Sequence, residues 1–126
     1  MTGPIRRGHI YWVPDSAFKL PPNDKRELHR QRPYLVFSND MKNTEPEWPI
    51  VFGFPLSTSD EHSTEFDVHL SKGDGGVMSD CFVLVTLAQA VSKSKLRDRT
   101  GQLSANRTDE ILARHLGYLG AIGQYK

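Results

Sequence analysis

The chain has 126 residues, 37% hydrophobic and 25% charged, with a formal net charge of +1 and a mean hydropathy of −0.50. That length supports one domain with one core, and no apolar run approaches the ~20 residues of a membrane span. The expectation is therefore a soluble, cytoplasmic protein without membrane contact, in which Arg6-Arg7 leads into a short mixed strand rather than a signal peptide. Cys81 is the single cysteine, which excludes an intrachain disulfide and a cysteine-based zinc site.

Chain order gives a mostly β pattern. His9-Ile10-Tyr11-Trp12-Val13 follows Gly8 and reads as a first strand, stopped by Pro14-Asp15. Residues 14–31 show no sustained period, and Pro21-Pro22-Asn23-Asp24 marks a sharp turn within them. Loops beyond ~12–15 residues in compact domains tend to serve a function, so this one is a candidate binding flap, with residues 25–30 able to close into a helical turn. Arg32-Pro33-Tyr34-Leu35-Val36-Phe37-Ser38 reads as a largely buried strand ended by Asn39-Asp40. A polar connection over residues 41–48 leads to Pro49–Leu56, whose internal Gly53 and Pro55 predict a bend, bulge or edge.

A second polar loop covers Ser57–Thr64. Phe66-Asp67-Val68-His69-Leu70 alternates as a half-buried antiparallel strand does. Residues 71–76 turn the chain back, residues 81–87 form the strongest core strand, and residues 91–103 hold a turn and one more short strand. From Ser104 the period changes: Ile111, Leu112, Leu116 and Leu119 recur at helical spacing, with Ser104 as N-cap and Gly120 as C-terminal cap. The sum is a mainly β, strongly bent antiparallel sheet or small barrel over about residues 6–103, closed by a C-terminal α-helix over about 105–119.

The small net charge conceals a division. Lys19, Lys25, Arg26, Arg30 and Arg32 gather in residues 19–32, and Lys93, Lys95, Arg97 and Arg99 in residues 93–99, whereas residues 40–67 carry seven acids against Lys42. The basic segments suit a polyanion and the acidic one a different contact; solvated loops would explain the same pattern. No P-loop, dinucleotide-binding glycine motif, HExxH or EF-hand sequence is present. The five histidines show no ligand-like pairing, so neither a metal nor a cofactor is expected.

What remains is a set at the strand edges. Glu27, His29, Gln31 and Arg32 lead into one strand, and Ser57, Thr58 and Ser59 leave the next. If those strands pair antiparallel, as consecutive strands often do, the arginine and a hydroxyl meet at one end of the sheet. A guanidinium can donate two hydrogen bonds to a phosphate and stabilise the charge of its transition state, with a hydroxyl completing the anion site. RNA brings its own nucleophile, the 2′-hydroxyl. Pattern alone still favours a loop cap for Ser57 and a surface charge for Arg32.

Three segments carry more information than spacing does. Arg7-Gly8-His9-Ile10-Tyr11-Trp12-Val13, Arg32-Pro33-Tyr34-Leu35-Val36-Phe37-Ser38-Asn39-Asp40 and Val51-Phe52-Gly53-Phe54-Pro55-Leu56-Ser57-Thr58-Ser59 resemble, in order, the successive strand motifs of the MazF/PemK family of type II toxins. Gly75-Gly76-Val77-Met78-Ser79-Asp80-Cys81-Phe82-Val83-Leu84 resembles the family's glycine turn, acid and apolar strand. The resemblance covers roughly residues 6–120. It implies an SH3-like, MazF/PemK and CcdB-like antiparallel barrel with a terminal helix, usually a homodimer. The implied activity is a metal-independent, sequence-selective endoribonuclease restrained by a cognate antitoxin protein. On single-stranded RNA the 2′-hydroxyl would attack the adjacent phosphate, leaving 2′,3′-cyclic phosphate and 5′-hydroxyl ends.

Position by position, the resemblance makes Arg32 and Ser57 the catalytic pair. Glu27 matches the acid of the preceding loop, and His29 is a further candidate acid or base. Lys25, Arg26, Arg30, Gln31, Thr58 and Ser59 are the expected RNA contacts. Two departures stand out. The family's glycine turn before the arginine is replaced by Glu27-Leu28-His29-Arg30-Gln31, and its acid-Gln-x-Arg-Thr segment reads Thr86-Leu87-Ala88-Gln89-Ala90. The second departure leaves open an alternative, a non-cleaving barrel that binds nucleic acid or a protein, and a third reading makes the acidic connection an interaction surface.

Overall fold

The computed structural model describes residues 3–22 and 26–121. Seven strands run through it: β1 (His9–Pro14), β2 (Gln31–Val36), β3 (Ile50–Ser57), β4 (Val68–Leu70), β5 (Cys81–Val83), β6 (Gln89–Ser92) and β7 (Arg97–Gln102). The helix α1 (Asp40–Asn43) joins β2 to β3, and α2 (Ala105–Leu119) closes the described chain. All pairings are antiparallel, and the sheet runs β4-β5-β3-β2-β1-β7, with β6 also paired to β3. This is the expected SH3-like barrel with a C-terminal helix, curled into a half-barrel.

The curl originates in β3. Ile50–Gly53 pair with β6 along one edge, while Leu56 and Ser57 pair with β5 along that same edge. Pro55 lies between the two ladders, where a residue with no N–H to donate is tolerated. Its carbonyl still accepts from the Leu84 N–H at 3.0 Å. Gly53 pairs with Val36 on β2 and with Gln89 on β6, and a Cβ there would stand 1.9 Å from the Leu35 carbonyl oxygen. Gly53 and Pro55 thus mark a bend in a central strand and not an edge.

Both faces of β1 and β2 are covered, which explains their nearly unbroken apolar runs. Alternate residues feed two clusters. Ile10, Leu35, Phe54, Leu56, Leu70, Val83 and Ile111 belong to one; Tyr11, Val13, Phe18, Tyr34, Val36, Val51 and Val91 belong to the other. The helix α2 contributes Ile111 to the first cluster, with Leu112 packed beside it. Its ends follow the sequence: Ser104 Oγ accepts from the Arg107 N–H at 3.3 Å, and Gly120 closes it at φ 74°.

Four local expectations are corrected. The strand expected over residues 81–87 stops at Val83: the Leu84 N–H still bonds the Pro55 carbonyl of β3, but Pro55 has no N–H to return, and the Val85 N–H is taken by Asp67 Oδ1 at 2.8 Å; Val85–Leu87 then forms a 3₁₀ turn. The polar connection after β2 contains α1, capped by Asn39, whose side chain accepts from the Met41 N–H at 2.7 Å. Residues 26–30 are not helical, and Lys25 lies outside the described residues. Beyond β6, residues 93–95 form a 3₁₀ turn before β7, so this stretch holds two strands where one was expected.

The glycine turn after β4 is held by backbone contact with β7. Gly76 has φ +81°, and a Cβ on it would lie 2.2 Å from the Thr100 carbonyl oxygen. Close approach of the two main chains requires glycine there.

Substituting Gly53 by alanine drives a methyl group into the Leu35 carbonyl and parts two ladders at once. The expected cost is at least the ~1–3 kcal/mol of an overpacked core, read as a lower urea midpoint with the m-value retained. A midpoint equal to the wild type would refute this account of β3.

Candidate functional site

The site grows from the register of β2 against β3. Tyr34 pairs with Pro55, Leu35 with Phe54 and Val36 with Gly53. Carried two residues on, the same register sets Arg32, near the start of β2, opposite Ser57, the last residue of β3. Both line one cleft of about 230 Å³ with Arg26, Glu27, His29, Ser59 and His62. On its other side Arg32 borders a second cleft of about 200 Å³, walled by Trp12, Pro33, Val77 and Met78 among others. Arg32 and His29 line both clefts.

Arg32 is not the surface charge that pattern alone favours, for it is only 9% exposed. Its partner is Asp15, which is fully buried in a 3₁₀ turn (Asp15–Ala17) directly after β1. Arg32 Nε donates to Asp15 Oδ1 at 2.8 Å and Nη2 to Oδ2 at 3.4 Å, while Nη1 donates to the Leu56 carbonyl at 2.9 Å. Arg26 grips the same carboxylate, Nη1 to Oδ2 and Nη2 to Oδ1, each at 3.0 Å, and Nη2 also reaches the Asp15 carbonyl. The His29 N–H adds a 2.8 Å bond to Oδ2. One carboxylate thus gathers two guanidiniums and the flap backbone.

Burial by itself would raise the Asp15 pKa. The hydrogen bonds from Arg26, Arg32 and His29, together with the Arg32 charge, outweigh that and hold the carboxyl well below the usual carboxylate range. A guanidinium has five N–H donors. Arg32 spends three on Asp15 and Leu56, which leaves one on each terminal nitrogen. Ser57 Oγ accepts from the Ser59 N–H at 3.1 Å, and a serine hydroxyl used this way still has its proton to donate. Ser57 is therefore the loop cap read from its pattern and is also placed at the cleft.

The other named residues divide. Glu27, His29, Gln31, Thr58 and Ser59 are exposed and each lines one or both clefts, whereas Arg30 is exposed but lines neither. Arg26 lines the cleft, but its side chain is only 8% exposed and its guanidinium is occupied by Asp15 and main-chain carbonyls. The second basic segment lies two strands away from β2 and has its own partners. Lys93 donates to the carbonyls of Lys42 and Glu45 at 2.9 Å each, and Arg99 lies against the His9 ring. Cys81 borders the second cleft as an inert thiol, its pKa pushed up to about 11 by burial and by Asp80 and Asp74. Among the described residues, no three His, Cys, Asp or Glu side chains gather where they could hold a metal ion.

The sequence profile of the PemK-like, MazF-like toxins of type II toxin-antitoxin systems matches residues 6–116. The chain belongs to this family. Its fold is similar to that of MazF (form I) from Deinococcus radiodurans, with 20% identity, coverage of 94% of this chain and 99% of that one, and a TM-score of 0.68. An endoribonuclease in complex with its cognate antitoxin from a mycobacterial species is 18% identical over 94% and 96% of the two chains, with a TM-score of 0.66. Toxin MazF-mt6 of Mycobacterium tuberculosis is 15% identical over 89% and 96%, with a TM-score of 0.67. No curated protein gives a significant sequence match.

Within this MazF/PemK member, the Thr86–Ala90 departure has a structural use. Gln89 Oε1 accepts from the Lys19 N–H at 3.0 Å, and Nε2 donates to the carbonyls of Lys19 and Leu87 at 3.2 and 2.9 Å. The carbonyl of Gln89 accepts from the buried Tyr34 hydroxyl at 2.6 Å. An amide clamp therefore fixes the base of the flap at the segment where this chain departs from the family pattern.

A carboxyl held low in the folded state stabilises the fold fully above the ordinary aspartate pKa of about 3.9 and loses that contribution as pH falls toward its folded value. Denaturant midpoints should be level near neutrality and fall below about pH 4. Asp15→Asn should be less stable at pH 7 and lose less between pH 5 and 3. A variant whose pH profile parallels the wild type would show that Asp15 does not carry the acid limb.

Proposed function

We propose that this chain is a metal-independent, sequence-selective endoribonuclease toxin that cuts single-stranded RNA, works as a homodimer and is restrained by a cognate antitoxin. The observation that carries the reading is the buried Arg32 guanidinium, with two N–H groups left over, opposite the Ser57 hydroxyl at a cleft. Those donors suit a phosphate whose charge rises at the transition state, and a partly desolvated site strengthens each bond made then.

In the reaction the 2′-oxygen bonds to phosphorus, the bond from phosphorus to the 5′-oxygen breaks, and the 2′,3′-cyclic phosphate and 5′-hydroxyl separate. The 2′-hydroxyl proton goes to a base and the leaving 5′-oxygen takes one from an acid. Glu27 and His29, exposed at the cleft, are the groups proposed for those transfers. Arg32 and Ser57 hold the phosphoryl oxygens. Arg30, Gln31, Thr58 and Ser59 line the path of the strand, while Arg26 contributes through Asp15. An acidic, intrinsically disordered antitoxin segment would lie over the flap and compete with RNA for the same donors.

A second reading, RNA binding without cleavage, is favoured by the Thr86–Ala90 segment, where Gln89 is committed to Lys19 and Leu87. Incubation of the purified protein with a long single-stranded RNA in EDTA separates the two. Cleavage with 2′,3′-cyclic phosphate ends, lost in Arg32→Ala and reduced by about 10²–10³-fold in Ser57→Ala, is the expected result. Intact RNA that remains bound selects the second reading, and equal cleavage by wild type and Arg32→Ala rejects the first.

A further inference from the structure

We infer that Asp15 is the positioning residue of the site: its carboxylate orients Arg32 toward a phosphate and ties the flap to that orientation. The inference rests on the reading of Arg32 as the cation that meets the scissile phosphate.

A free arginine side chain can present any pair of its donors. Here Nε and Nη2, which form one edge of the guanidinium plane, are both turned onto Asp15, and the Leu56 carbonyl takes a proton of Nη1. The uncommitted N–H groups therefore sit on the two terminal nitrogens, the pair whose spacing fits two oxygens of one phosphate. The Leu56 carbonyl belongs to the residue before Ser57, so the same bonds set the guanidinium at the height of the hydroxyl. An arginine aimed before the substrate arrives needs no reorganisation during the reaction.

Asp15 is also where the flap closes. Arg26 and the His29 N–H, both from residues 26–30, end on its two oxygens. Arg26 in addition donates to the carbonyls of Asp15 and Phe18, so it joins both ends of the loop. Any movement that lifts His29 or Arg26 from the cleft must loosen the carboxylate that aims Arg32. The position of the flap and the aim of the cation are one mechanical unit. A purely structural ion pair would need only one guanidinium; the second connects the flap.

The test uses single-turnover cleavage of a short RNA carrying a site first mapped on total RNA. Affinity is measured on the same RNA with a 2′-deoxy nucleotide at the cut. Asp15→Asn should slow cleavage about a hundredfold, the cost of misplacing a reacting group by about 1 Å, with affinity for the deoxy RNA little changed. Asp15→Glu, which restores the charge one methylene away, should recover part of the rate. Loss of affinity in proportion to rate, or no recovery with glutamate, overturns the inference in favour of a merely structural role. Cleavage at the wild-type rate by Asp15→Asn while Arg32→Ala is inactive overturns this inference alone. Wild-type cleavage by Arg32→Ala overturns it together with the reading beneath it. Should Asp15→Asn not fold, NMR of the wild-type protein decides: a slowly exchanging Arg32 Nε–H at neutral pH supports the anchored guanidinium, and an Nε–H that exchanges as freely as that of a solvated arginine refutes it.

Discussion

A carboxylate with no exposure to water is tolerable only when its charge is answered, and Asp15 is answered from three directions. Five hydrogen bonds reach its two oxygens, four from the guanidiniums of Arg26 and Arg32 and one from the His29 main chain. Buried ion pairs rarely add net stability over apolar packing, but removing one member strands the others and costs about 3–5 kcal/mol. The cluster is therefore better understood as a device that fixes geometry. It carries one negative and two positive charges, so it leaves a residual positive charge at the cleft, in a place where solvent cannot easily screen it.

The other half of the site depends on β3. Its β2 register sets the hydroxyl end opposite Arg32, and along its other edge the strand changes partners, from β6 at Ile50–Gly53 to β5 at Leu56–Ser57. Gly53 lets the ladders close without a side chain in the way, and Pro55 occupies the position where no donor is needed. The bend and the site are thus produced by the same few residues. Stability and placement of Ser57 are not independent features of this chain.

Much of this was legible in the sequence because it is local or periodic. The β2 run, the helix caps Ser104 and Gly120 and the bend at Gly53 and Pro55 each follow from residue type. The opposition of Arg32 and Ser57 follows from pairing consecutive strands, and the motif order pointed to the family. What the sequence did not reveal is tertiary. Asp15 reads as punctuation after Pro14, because nothing local says that an acid one residue past a strand will be enclosed. A strand carrying an arginine into an apolar run does imply a buried counter-ion, and that signal, pursued, would have led to the nearby acids. The basic character of residues 19–32 was overstated for the same reason, since Arg26 and Arg32 share one carboxylate. Residues 81–87 look like one strand, yet Pro55, opposite Leu84, has no N–H to return, and Asp67 takes the Val85 donor that a longer ladder would have used.

If Arg32 and Ser57 hold only phosphate oxygens, they cannot choose a sequence, because contacts to the backbone carry no base information. Selectivity must then reside in the two clefts that Arg32 separates. These differ in kind. One is walled by Trp12, Pro33, Val77 and the highly exposed Met78, surfaces on which a base can stack with little regard to its edge pattern. The other carries Glu27, His29, Ser59, Glu61 and His62, donors and acceptors able to read a base edge. The nucleotide on one side of the cut would be held by stacking and the one on the other side by hydrogen bonds. The flap forms a wall of this polar cleft, so on that reading the anchoring of Arg26 and His29 by Asp15 would fix the reading surface along with the cation. On the proposed reading, the choice of sequence and the stabilisation of the transition state would depend on the same buried carboxylate.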